Sequence, residues 1–155
     1  MIINFELNGS MARHDCPPDR RVIDVLREDF GLTGSKEGCG AGECGGCAIL
    51  VDGEPRLACL MLAAQLEGRR VETVEALEQT EEGRRLMASF SEGGAVQCGY
   101  CTPGMEMVSL ALLRRKEPLT REQIREALSG NLCRCTGYAK IVDAVEQAVR
   151  ESLNG

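Results

Sequence analysis

Short apolar-rich stretches separated by turn residues run through the first half of the chain and predict β-strands. Asn8-Gly9 and Asp52-Gly53 are typical of tight hairpin turns between such stretches. The predicted strands are Ile2–Leu7 and residues 11–16, 47–51, 55–59 and 71–74. Val22, Val25, Leu26 and Phe30 share one helical face, and Gly31 is a helix stop. We therefore predict a small α+β roll with one helix.

The period changes to that of helices in the second half. Residues 75–83 are predicted to be a polar crossover into a helix that ends near Gly93-Gly94. Thr102-Pro103 starts an apolar helix to residue 113, because proline is favoured in the first helical turn. Thr120 and Gln123 form a capping box for a helix through residue 128. A last helix carries apolar residues at helical spacing, namely Ile141, Val142, Val145, Ala148, Val149 and Leu153. The change of period predicts two domains, residues 1–76 and 77–155.

Size and charge narrow the function classes. A chain of 155 residues suits one ordinary domain or two very small ones. The formal net charge of -6 argues against nucleic-acid binding, which needs a basic face. No apolar run approaches the roughly 20 residues of a membrane helix. The first residues lack the basic start and apolar core of a secretory signal, so we expect a cytoplasmic protein.

The chain contains nine cysteines but only one histidine. Such a density indicates a disulfide framework, zinc sites or iron–sulfur clusters. Disulfides belong to oxidising compartments. The odd number of cysteines and the single residue between Cys133 and Cys135 also suit bridges poorly. The cysteines are therefore predicted to be thiolate ligands.

The first set of cysteines is Cys39, Cys44 and Cys47, followed by the more distant Cys59. This is the spacing of plant-type [2Fe–2S] ligands. Eight of the chain's eighteen glycines lie between Gly31 and Gly53. They allow the loop to curl so that its amide hydrogens face an anionic cluster. Zinc fits less well, because its ligands come in closely spaced pairs.

The second set is two pairs of cysteines, Cys98 with Cys101 and Cys133 with Cys135. Taken alone, these pairs are as compatible with zinc as with an iron–sulfur cluster. The first set favours a second cluster, because a lone electron carrier gains range from a neighbour. Both pairs are predicted at helix N-terminal edges, where free amides and the helix dipole favour thiolates. The ninth cysteine, Cys16, is predicted to be a half-buried residue at a strand end, and His14 a solvated surface residue.

Three segments together resemble a known family. They read EGCGAGECGGC at residues 37–47, QCGYC at 97–101 and NLCRCTGY at 131–138. In this order they resemble the small iron–sulfur subunit of the xanthine dehydrogenase and carbon monoxide dehydrogenase family of molybdenum hydroxylases. The resemblance runs from residue 2 to about residue 153, and no motif departs from the family pattern.

The resemblance implies a fold and a set of cofactors. Residues 1–76 would form a plant-ferredoxin-like β-grasp domain, with a [2Fe–2S] cluster on Cys39, Cys44, Cys47 and Cys59. Residues 77–155 would form an all-α four-helix domain, with a second [2Fe–2S] cluster on Cys98, Cys101, Cys133 and Cys135. Gln97 and Cys135 would lie beside the molybdopterin of a large partner subunit. The first cluster would face a medium subunit that carries FAD, in a heterotrimer or a dimer of heterotrimers.

The role that follows is electron transfer within an enzyme. The chain shows no nucleophile with a base and no carboxylate pair, so we expect no substrate chemistry in it. As a subunit of a molybdenum oxidoreductase it would pass electrons from molybdopterin to the flavin or another acceptor. Two alternatives remain at this point: a free-standing ferredoxin-type carrier, and a zinc-stabilised interaction module.

Overall fold

Five strands form one mixed sheet. A computed structural model describes residues 1–155. The strands are β1 (Ile2–Leu7), β2 (Ser10–Asp15), β3 (Ala48–Val51), β4 (Glu54–Leu57) and β5 (Arg70–Glu72). Their order is β2-β1-β5-β3-β4, and only β1 and β5 run parallel. Each predicted strand is confirmed within a few residues of its predicted ends.

One short helical segment covers the sheet. It begins as α1 (Val22–Asp24) and continues as a π-helical turn (Val25–Asp29), in which the Phe30 amide donates to the Val25 carbonyl at 3.2 Å. The sequence predicted one regular helix over residues 22–30, so the wider turn is a difference. Gly31, with φ of +66°, ends the segment as predicted. Apolar side chains of this segment and of β1 pack together in one buried core, which includes Ile3, Phe5, Ile23 and Leu26.

The second half is helical, as predicted. A 3-10 helix (Val74–Gln79) leads into α2 (Glu81–Glu92), α3 (Thr102–Leu113), α4 (Arg121–Ala127) and α5 (Ala139–Asn154). Thr120 and Gln123 make the predicted capping box at the start of α4. The four helices enclose a second core around α3, and sheet and helices together confirm the predicted α+β class.

No helix here combines the length and the apolarity that crossing a bilayer would require.

Strand β3 is buried on both of its faces. Ile49 and Val51 point into the core beneath the sheet. Ala48 and Leu50, which alternate with them, belong to the helical core and pack with α3. A strand buried on both faces has a continuous apolar run rather than an alternating one. The two halves of the chain therefore share β3 as a common wall.

A salt bridge also joins the two halves. The two terminal nitrogens of Arg114, at the end of α3, lie 2.7 and 2.9 Å from the carboxylate of Glu72 on β5. Its Nε lies 2.8 Å from Glu82 on α2. The predicted boundary after residue 76 stays a prediction; that residue lies inside the 3-10 helix, which packs on α2.

A buried acid in α3 gives a prediction about stability. Glu106 is only 6 % exposed, and burial raises the pKa of its carboxyl from 4.5 to about 7. Below pH 4.5 both folded and unfolded chains hold the proton, so burial of the acid is tolerated. As the pH rises from 4.5 to 7 the unfolded chain ionises first, so stability falls. We expect Glu106→Gln to raise the free energy of unfolding by about 2 kcal/mol at pH 8.

The measurement for Glu106 is denaturant unfolding of the variant and the parent at pH 5 and pH 8. The gain should shrink to about a quarter at pH 5, because the buried acid is then neutral and the unfolded chain is only just above its pKa of 4.5. Glu126→Gln, on an exposed position of α4, is the matched control. Equal gains at both pH values would contradict a titrating Glu106.

Candidate metal centres

Three cysteines of the first set lie between the π-helical turn and the β3-β4 hairpin, and the fourth follows the hairpin. Cys47 immediately precedes β3, and Cys59 follows β4 by two residues. Because Ala48 pairs with Leu57 across the hairpin, the chain returns Cys59 to Cys47. The Cys59 thiol raises the pKa of Cys47, and the Cys44 thiol acts in the same way to lower that of Cys39, so the thiols interact as two pairs. The four predicted ligands of the first set are thus brought together in two pairs.

The loop before Cys44 turns its amides toward one sulfur. The amides of Ala41, Glu43 and Cys44 lie 3.3, 3.2 and 3.4 Å from Cys39 Sγ. Gly40 and Gly42 allow this curl, with φ of +64° and +78°. These three backbone hydrogen bonds lower the pKa of the Cys39 thiol to about 7. The predicted nest of amides is therefore present, and it favours the thiolate that a metal needs.

Within the first set, the Cys47 thiol is buried whereas the Cys39 thiol is exposed. Cys47 is 2 % exposed, and burial raises the pKa of its thiol to about 12. The thiol of Cys59 beside it raises this pKa further. A bound cation would have to displace the proton of Cys47, so metal binding here releases protons.

The second set lies at the starts of two helices, as predicted. Cys101 is the N-cap residue of α3, and Cys133 and Cys135 lie in the loop before α5. The Cys133 thiol raises the pKa of Cys101, and the Cys98 thiol raises that of Cys135, so the thiols interact as two pairs. Each pair therefore takes one cysteine from each loop.

In the second set, the pKa values of Cys101 and Cys133 shift in opposite directions. Burial raises the pKa of the Cys101 thiol to about 12. Burial also acts to raise the pKa of Cys133, but hydrogen bonds from the hydroxyl and amide of Thr136, at 3.1 and 3.4 Å, outweigh it. The pKa of Cys133 falls to about 7 as a result.

The donor set of each centre fits a binuclear cluster. Within each set the four thiols influence one another's pKa as two pairs. In a [2Fe–2S] cluster each of the two irons takes two thiolates, while a structural zinc takes four ligands around one ion.

An exposed face surrounds the second set. Cys98 and Cys135 are exposed, and the exposed Gln97 makes no hydrogen bond within the chain. Four apolar or aromatic side chains lie near them in the same loops, each between 39 and 55 % exposed: Val96, Tyr100, Leu132 and Tyr138. We call these four residues the apolar ring. Large exposed apolar side chains gathered at one site are typical of surfaces that bind another protein.

The remaining predicted residues take no part in either centre. Cys16 follows β2 and is 6 % exposed within the first core, so it is more buried than predicted. His14 does not simply point into solvent. Its Nε2 lies 2.8 Å from Asp29 Oδ2, and its ring packs on Phe30.

Sequence reasoning assigned no role to three residues that hold the ligand loops. The Tyr100 hydroxyl donates to the Glu37 carbonyl at 2.6 Å, and the Tyr138 hydroxyl accepts from the Cys133 amide at 2.9 Å. Asn131 Nδ2 donates to the Gly45 carbonyl at 3.0 Å. One signal could have found the tyrosines, since the chain has only two and both lie in ligand loops.

The thiol pKa values predict which cysteines react first in the metal-free chain. Cys39 is exposed with a lowered pKa, so its alkylation should rise with pH to a plateau just above 7. An ordinary thiol would continue to gain rate up to its pKa of 9.0. Cys47 and Cys101 should stay unreacted at pH 8, because their protons are retained.

Iodoacetamide labelling followed by peptide mass spectrometry measures this order. The metal-free chain should first be shown to keep the circular dichroism of the loaded chain. A Cys39 rate that climbs through pH 9 without a plateau would contradict the amide nest.

Two family models match adjoining parts of the chain. A "2Fe-2S iron-sulfur cluster binding domain" matches residues 5–77, and a "[2Fe-2S] binding domain" matches residues 73–146. Each match contains one of the two sets of paired thiols.

Known proteins match over nearly the whole chain. The small FeS subunit of nicotinate dehydrogenase from Eubacterium barkeri is 48% identical, over 98% of this chain and 97% of its own length. Quinoline 2-oxidoreductase from Pseudomonas putida 86 contains a chain of the same fold, with a TM-score of 0.93 and 45% identity over 99% of this chain and 96% of that chain. Aldehyde oxidoreductase from Desulfovibrio gigas matches with a TM-score of 0.90 and 32% identity, over 96% of this chain but only 17% of that longer chain.

Proposed function

Because this chain belongs to the small iron–sulfur subunits of the xanthine dehydrogenase and carbon monoxide dehydrogenase family of molybdenum hydroxylases, we propose a ligand set and a docking face for it. Its role is electron transfer in such an enzyme, and it has two [2Fe–2S] clusters. One cluster is held by Cys39, Cys44, Cys47 and Cys59. The other is held by Cys98, Cys101, Cys133 and Cys135.

The observation that carries the ligand assignment is the pairing of the thiols. In each set the thiols influence one another's pKa in two pairs, and in the second set each pair spans two loops. A bound cluster supplies a centre that gains and loses one electron, with a potential set by hydrogen bonds, charge and solvent exposure. The chain contributes amide donors at Cys39 and a hydroxyl donor at Cys133, which stabilise negative charge on those sulfurs.

The docking face is the apolar ring with Gln97, Cys98 and Cys135. Its partner is the large subunit of the complex, which we propose holds molybdopterin against Gln97 and Cys135. The Gln97 amide is exposed and lacks a partner in this chain, so both its donor and its acceptor are available to a pterin edge. Burying the apolar ring against the large subunit would also exclude water from the second centre.

The outer side of the first centre faces a second partner in this proposal. Cys39 is exposed there, and Leu60, beside the ligand Cys59, is 58 % exposed. We assign this side to a medium subunit that carries FAD, in a heterotrimer or a dimer of heterotrimers. A cytoplasmic location follows the same proposal, because the ligand thiols must stay reduced until metal binds.

The test is to purify the chain anaerobically with whatever co-purifies, and to measure iron, acid-labile sulfide and zinc per chain. We expect about four irons and four sulfides with negligible zinc, together with larger chains of flavin-domain and molybdenum-domain size. Two irons with one zinc would mean that the second set is structural. Four irons on a chain that purifies alone would favour a free-standing carrier.

A further inference from the structure

The two ligand loops touch each other directly. The Leu132 amide donates to the Cys44 carbonyl at 2.8 Å, and the Asn131 side-chain amide donates to the next carbonyl, that of Gly45, at 3.0 Å. Leu132 is covalently joined to Cys133, so one hydrogen bond separates a ligand of the second set from a ligand of the first. We call these two hydrogen bonds the loop clasp.

The Asn131 half of the clasp is buried and closely fitted. Asn131 is 5 % exposed, one of the few buried polar residues in the chain. A Cβ on Gly45 would lie 2.5 Å from the Gly130 carbonyl oxygen and 2.6 Å from Asn131 Nδ2. Only glycine at position 45 therefore lets the Asn131 amide reach its carbonyl. The Gly45 carbonyl also accepts from the Ala48 amide at 3.1 Å, so Asn131 supplies one of its two donors and the only one that comes from the second ligand loop.

We propose that Asn131 is a positioning residue that makes the two ligand loops move as one unit. It acts through Leu132, because fixing the Asn131 side chain on Gly45 holds the neighbouring amide against the Cys44 carbonyl. The spacing and relative orientation of the two centres, and the retention of iron by the first, then depend on a residue that ligates neither. This inference rests on the proposed function, since it takes both loops to be loaded.

A second contact between the loops does not replace the clasp. The Tyr100 hydroxyl reaches the Glu37 carbonyl at 2.6 Å, but Tyr100 is 49 % exposed. Water can take over an exposed hydrogen bond at little cost, whereas it cannot reach the Gly45 carbonyl beneath Asn131. Asn131 is thus the residue to change.

The experiment compares the purified complex with two variants, Asn131→Ala and Asn131→Asp. Alanine removes the donor, and aspartate keeps the shape but sets an acceptor against the Gly45 carbonyl. Ser89→Ala is the matched control, because Ser89 is also buried and donates to a carbonyl, that of Ala144, within the helices alone. The readouts are iron content, the rate at which a chelator removes iron from the first centre, and the magnetic interaction between the two reduced centres in electron paramagnetic resonance spectra.

We expect both Asn131 variants to keep about four irons. They should lose iron from the first centre on the order of tenfold faster, because the loss of one buried hydrogen bond changes a rate by about this factor. The magnetic interaction should change in both, and Ser89→Ala should leave it unaltered. The proposal is overturned if the variants match Ser89→Ala, or if they lose the second centre and helical content, which would indicate a plain folding role. A parent complex with fewer than four irons would instead count against the proposed function.

Discussion

Replacing Gly104 with alanine is expected to destabilise the chain by about 2–4 kcal/mol, which is the range of a severe overpacking change. Gly104 lies in the first turn of α3, where alanine favours helix over glycine by about 1 kcal/mol. Its Cβ, however, would lie 2.2 Å from the Gly45 carbonyl oxygen and 3.1 Å from Gly46 Cα. Both are backbone atoms of the first ligand loop, so no side chain can turn aside. Steric overlap therefore outweighs helix propensity.

Gly130→Ala is the control for this change. Gly130 has an ordinary φ, and no atom lies within 4 Å of the Cβ that alanine would add. Denaturant unfolding of both variants measures the difference. Gly130→Ala should stay within about 0.5 kcal/mol of the parent, as surface substitutions do. If Gly104→Ala did the same, α3 would not be seated on the ligand loop.

Cys135→Ala is expected to remove two of the four irons and to abolish turnover of the complex. In the proposed ligand set Cys135 shares an iron with Cys98, so its loss would leave that iron with a single thiolate. The first centre should remain, because its four ligands lie in another loop and hairpin. Cys16→Ala removes the one cysteine outside both sets and should keep all four irons.

Iron and sulfide analysis, with the resonance spectrum of each reduced variant, measures these outcomes. Unchanged turnover in Cys135→Ala would remove this residue from the second centre. Loss of iron in Cys16→Ala would mean that the division of the nine cysteines into two sets is wrong.

The sequence predicted the elements well because their signals are local. The hairpin turns, the capping box of Thr120 and Gln123 and the proline in the first turn of α3 each depend on a few neighbouring residues. The π-helical turn at Val25–Asp29 was missed, because apolar spacing over so short a segment does not distinguish it from a regular helix.

The relations between the halves could not be predicted in the same way. The sequence predicted a strand at residues 47–51, but no local pattern tells that Ala48 and Leu50 pack under α3. The cysteine spacing gave the two ligand sets. It could not tell which thiols pair, nor that Asn131 and Tyr100 would reach across to the first loop, because those contacts join residues more than 60 positions apart.

The double burial of β3 also limits how this protein can be divided. A fragment ending at residue 76 would keep every ligand of the first centre, yet it would expose Ala48 and Leu50 as a bare apolar strip on the sheet. An exposed apolar strip of this kind promotes aggregation. We therefore expect that the first half cannot be excised as an independently folding ferredoxin-like domain or fused to another protein. A fragment designed to keep this centre would have to include α3, or carry polar substitutions on the face of β3 that α3 covers.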